Sequence, residues 1–91
     1  SPSDLHCGTA FARAGLSEAR LSRFLVSADE ALRDQLAMTA RRLAAEQIDC
    51  DWRDAGELVL VEGFAEARVE TLRFRIARAY WRELAAIDRK R

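Results

Sequence analysis

Five arginines in one glycine- and proline-free stretch carry the clearest chemical signal in this sequence. Arg68, Arg75, Arg78, Arg82 and Arg89 recur at spacings of seven, three, four and seven residues. On a helix these positions fall within about 80° of one another and make a column roughly 30 Å long at 1.5 Å per residue. Guanidinium groups at such intervals follow a phosphate backbone through bidentate, charge-assisted contacts. No accompanying pattern reads base edges, so the binding they predict is non-specific and strongly salt-dependent. Phe74 and Trp81, seven apart, form a separate strip beyond the arginines. They are read as a protein interface, either packing beneath the first helix or forming a dimer surface. Glu83 sits near the core edge, within reach of Arg78 or Arg82.

Other reactive residue types give little. His6, the single histidine, has no evident nucleophile beside it and reads as a surface residue. Asp49, Asp51 and Asp54 depart from the spacing of a calcium loop and lack its glycine. They read as helix caps and as the acidic half of an interface. Cys7 and Cys50 with one histidine cannot fill a zinc site. An arginine-rich helical chain without secretion features reads as cytoplasmic, so both cysteines are expected to be free thiols rather than a disulfide. There is no glycine-rich phosphate loop. The expectation is a non-enzyme with no catalytic residues, no metal and no cofactor.

The chain has 91 residues, 49% hydrophobic and 33% charged, which suits a single domain over 1–91 and argues against disorder. Formal net charge is zero, yet the charges are segregated: residues 1–45 carry +1, 46–67 carry −6 and 68–91 carry +5. Fourteen of the fifteen bases are arginine. No apolar run is longer than that of Leu58 to Val61, which spans no membrane. The start at Ser1-Pro2-Ser3, without methionine, suggests a processed start or a piece of a longer protein.

These residues need helices to position them. The fold class predicted is all-α, a compact bundle of four to five helices with the last the longest. Gly15 suits the residue just past a helix C-terminus, giving a first helix over about 4–14. Ser17 is an N-cap for a second over 17–26. Ser27 and Glu30 have capping-box spacing and open a third over 28–47. Asp51, with Asp54 as a short box partner, opens a fourth over 52–61. Leu58-Val59-Leu60-Val61 also suits a strand, but a lone strand leaves its backbone unpaired, so helix is preferred. Gly63 marks a corner, and the last helix covers 64–89 with Ala65, Val69, Leu72, Ile76, Ala79, Tyr80 and Ile87 as its core stripe.

The order of these pieces resembles the C-terminal helical domain of the small subunit of the type I-E CRISPR surveillance complex Cascade, the CasB family. The resemblance rests on a glycine-terminated helix, Cys7-Gly8-Thr9-Ala10-Phe11-Ala12-Arg13-Ala14-Gly15, and on Leu16-Ser17-Glu18-Ala19-Arg20-Leu21 followed by Ser22-Arg23-Phe24-Leu25. It continues through a helix with paired Arg41 and Arg42, then Cys50-Asp51-Trp52, then Ile76-Ala77-Arg78-Ala79-Tyr80-Trp81. It covers about residues 6–85. Two features depart from the family: this sequence lacks the additional N-terminal helical domain that members usually carry, as a truncated piece or a minimal subunit would, and Leu58-Val59-Leu60-Val61-Glu62 stands where a tryptophan-containing end is common.

The resemblance implies a non-catalytic subunit of an RNA-guided antiviral complex. Its partners would be the other Cascade subunits, the guide RNA and the target or displaced DNA strand, with a second copy of itself as a further partner and no membrane. It carries over Arg20, Arg23, Arg41 and Arg42 as backbone contacts, beside Arg68, Arg75, Arg78 and Arg82 from the wheel. The competing expectation is a structural module in which the arginines and the acidic 46–67 segment satisfy each other between protomers, without nucleic acid.

Overall fold

The longest stretch free of glycine and proline becomes the spine of the molecule. A computed structural model describes residues 4–91, so the Ser1-Pro2-Ser3 start lies outside the described residues. Helices run over α1 Cys7–Arg13, α2 Glu18–Val26, α3 Asp29–Ala45, α4 Arg53–Val61 and α5 Glu66–Arg89. The 24 residues of α5 span about 36 Å at 1.5 Å each, most of the 41 Å long dimension. The protein is an all-α bundle with its last helix longest, and α1 and α4 are the main partners of that helix.

Val69, Leu72, Ile76 and Tyr80 are the buried stripe of α5. They meet Phe11 of α1, Leu21 and Phe24 of α2, Leu32 and Leu43 of α3, and Leu58 of α4 in one core. Phe11 is its centre, edge-on to Phe24 at 5.6 Å and tilted against Trp52 at 5.9 Å. Tyr80 is buried because its hydroxyl donates to the carbonyl of Leu16 at 2.7 Å, which satisfies the one polar atom that burial would otherwise strand. Cys7 and Cys50 are buried free thiols.

Gly15 ends α1 as its position predicts. It lies at φ +79, Gly15 N–H donates to Ala12 and Leu16 N–H to Phe11, the paired bonds of a Schellman turn. Leu58 to Val61 is helical, because α4 buries Leu58 and Ala55 and satisfies its own backbone.

Several boundaries differ from expectation. Helix α1 starts at Cys7 rather than residue 4, because His6 is extended and bridges to Asp51, whose N–H donates to Leu5 O at 2.7 Å. The Ser27–Glu30 capping box does not form. The Ser27 hydroxyl instead donates back to the Arg23 carbonyl, and Asp29 enters α3 at φ +54 with its N–H on the Glu62 carboxylate. Glu83 reaches neither Arg78 nor Arg82 but pairs with Arg13 at 2.7 Å. Phe74 and Trp81 do not pack beneath α1. That helix sits over Ile76 and Ala79, leaving Phe74 64% and Trp81 46% exposed.

Candidate nucleic-acid interface

Position 8 sets the geometry of the site. A Cβ on Gly8 would stand 2.3 Å from the carbonyl oxygen of Ile76 and 3.0 Å from the Ala79 methyl. Only glycine lets the α1 backbone lie directly on α5. That contact brings His6 and Thr9 alongside the arginine face, and a groove of about 410 Å³ opens between them. His6 and Thr9 form one wall, Arg75, Arg78 and Arg82 the other, with Ala79 between. No acid lines it.

A second depression, of about 380 Å³, lies on the far side of Arg75 and is lined by three acids and three arginines with His6. Its charges are matched. Arg68 grips Glu57 of α4 with two hydrogen bonds of 2.6 and 2.7 Å, and these hold the Glu57 carboxyl below its usual range. Arg75 grips Asp54 through Nε at 3.0 Å and Nη2 at 2.8 Å. Arg53 folds back on Asp51, whose pKa its hydrogen bonds lower to about 2. The short corner between α4 and α5 makes the two helices antiparallel, so acids of one face arginines of the other.

Asp54 is not the capping partner its spacing suggests. It is a nearly buried carboxylate, 7% exposed, shared by three elements. His6 Nε2 lies 2.8 Å from Asp54 Oδ2, the same oxygen that takes the Arg75 Nε bond. His6 Nδ1 accepts from the Gly8 N–H at 3.0 Å, capping α1. An amide can only donate, so in the neutral ring the proton resides on Nε2 and points at Asp54. His6 is therefore a structural cap rather than a surface residue. With both ring nitrogens engaged, neither is open to take a proton from a substrate.

The eight arginines nominated from sequence fall into four groups. Arg78 and Arg82 are exposed, unpaired among the described residues, and share the groove. Arg68 and Arg75 are on the same helix but each is engaged by an acid of α4. Arg42 is engaged elsewhere: its Nε donates to Ala14 O at 2.9 Å, satisfying a carbonyl at the end of α1. Arg20 and Arg23 on α2 and Arg41 on α3 are exposed, and none of the three lines the groove. Arg89 is exposed near the end of α5.

Sequence reasoning missed Thr9 and the pairing roles of His6 and Asp54. The available signal was antiparallel register: Asp54 and Glu57, one turn apart on α4, oppose Arg75 and Arg68 across the α4–α5 corner. Among the described residues, no group of His, Cys, Asp or Glu could hold a metal ion, and no helix is long and apolar enough to cross a membrane.

The chain matches no family model, no curated protein and no solved structure.

Proposed function

We propose that this chain is a non-catalytic helical module that binds nucleic-acid backbone without regard to sequence. The role is that of the CRISPR surveillance small subunit which its sequence resembles. In that role it acts in the cytoplasm beside the other Cascade subunits and contacts the guide RNA and the target or displaced strand. Base pairing of the guide supplies sequence recognition, which leaves backbone electrostatics to the protein. One observation carries the reading: Arg78 and Arg82 are exposed, free of acid partners among the described residues, and border one groove that contains no acid. Arg68 and Arg75 are partly neutralised by α4, so the free surface is smaller than the full column and isolated binding is weak.

The alternative is a structural or homodimerising module without nucleic-acid contact. The exposure of Phe74 and Trp81 on one strip of α5 favours it, since an apolar patch in the open is a surface that a protein contact can cover. Fluorescence anisotropy with labelled single-stranded DNA of mixed sequence separates the two. The backbone reading expects weak binding that is the same for every sequence. Absence of binding together with self-association moves the assignment to the structural module, and a strong sequence preference overturns both.

A further inference from the structure

The α1–α5 groove has more definition than a charged helix face requires, and its charge can be counted. Arg75 on its wall is balanced by Asp54. His6, with Nδ1 accepting from Gly8 and Nε2 on Asp54, contributes no charge in its neutral form. Arg78 and Arg82 remain, two positive charges with no acid in the lining. An internal phosphodiester carries one negative charge. A phosphomonoester carries about 1.5 to 2 at pH 7 and three strong acceptor oxygens.

Thr9 adds a second, independent pointer. The other two threonines turn their hydroxyls back into their own helices, Thr39 onto the Gln35 carbonyl at 2.8 Å and Thr71 onto the Ala67 carbonyl at 3.1 Å. Thr9 makes no such bond. Thr9 is half-buried and lines the groove together with the arginines, and its hydroxyl has no hydrogen-bond partner among the described residues. The groove, about 410 Å³, falls in the range of small-ligand sites.

We infer that this groove is a seat for a single phosphomonoester, held by the guanidinium groups of Arg78 and Arg82 and by the Thr9 hydroxyl. The inference rests on the reading of α5 as a phosphate-facing helix and narrows it to one kind of phosphate. The group is either the terminal phosphate of a strand or that of a free nucleotide; the chemistry is shared.

The test compares two single-stranded oligonucleotides of one sequence, labelled at the 3′ end, one with a 5′ phosphate and one with a 5′ hydroxyl. At constant ionic strength the phosphorylated strand should bind about tenfold more tightly, the worth of one added charge-assisted contact set. Thr9→Val keeps the side-chain shape and should remove most of that preference. Calorimetric titration with a nucleoside monophosphate identifies the source. Measurable binding assigns the seat to small phosphates as well, and its absence beside a tenfold strand preference assigns it to strand ends. Equal binding of the two oligonucleotides overturns the seat and leaves the backbone reading standing. Nucleotide binding without either oligonucleotide keeps the seat and overturns the backbone reading. No binding by any of the three overturns both.

Discussion

Removing the two unpaired groove arginines should change the salt dependence of DNA binding by a fixed amount. Each phosphate contact on single-stranded DNA contributes about 0.7 to the slope of log affinity against log salt. Arg78, Arg82 and Arg89 are the members of the α5 column without an acid partner among the described residues. Three contacts give a slope of about −2, a loss of roughly 20-fold between 50 and 200 mM salt. Five free arginines would give about −3.5 and a loss above 100-fold. The double variant Arg78→Gln, Arg82→Gln should flatten the slope by about 1.4, whatever further contacts Arg20, Arg23 or Arg41 make. Both side chains are exposed, so folding should be unaffected, which circular dichroism checks. Anisotropy titrations at four salt concentrations read the slope. An unchanged slope in the double variant would refute the assignment of the groove as the contact surface. A tenfold loss at one salt with no change in slope would place the two arginines in protein structure rather than on phosphate.

Asp54→Asn should separate stability from binding. It breaks a nearly buried carboxylate away from Arg75 and His6, costing about 2 kcal/mol by urea denaturation, below the usual figure for fully buried pairs because both partners are part-exposed. It also frees Arg75, so the salt slope should steepen by about 0.7; a shallower slope would contradict the pairing. Gly8→Ala should cost about 2 to 3 kcal/mol, since the new methyl collides with the Ile76 carbonyl and α1 must lift from α5. A neutral effect would mean that α1 does not lie where described. Burial pushes the Cys7 and Cys50 thiols up to about 12. The unfolded chain ionises nearer 9, so it releases protons first and stability should fall as pH rises from about 9 toward 12. Maleimide labelling at pH 8 should be slow in the native protein and prompt in denaturant, and rapid native labelling of both would contradict their burial.

Local signals in the sequence reported the helices well and the site poorly, for a physical reason. Gly15 and Ser17 act through neighbouring residues, so their roles as helix end and N-cap can be read from position. The helical state of Leu58 to Val61 follows from the need to satisfy backbone groups. Ser27 failed as a cap because its hydroxyl donates to the Arg23 carbonyl four residues back in α2, while Glu62, 33 positions away, takes the Asp29 amide at the start of α3. His6 reads from sequence as a surface residue: its cap on the Gly8 amide is local, but its contact with Asp54 lies 48 positions away. The arginine column was legible as geometry but not as free charge. Its spacing is intrinsic to α5, whereas the neutralisation of Arg68 and Arg75 comes from α4. Arg42 looked like a backbone contact and proved to hold the end of α1, a use that only the packing of α3 against α1 creates.

The direct contact of Gly8 with α5 also orders events during synthesis. Helix α1 has seven residues, too few to persist alone in water. Its landing site around Ile76 and Ala79 lies in the last fifth of the chain. Helix α1, made before α5, therefore waits with its apolar face uncovered until α5 has left the ribosome, and closing that long loop completes the core. Holding back α5 on a stalled ribosome should leave α1 open to protease while α3 is already helical.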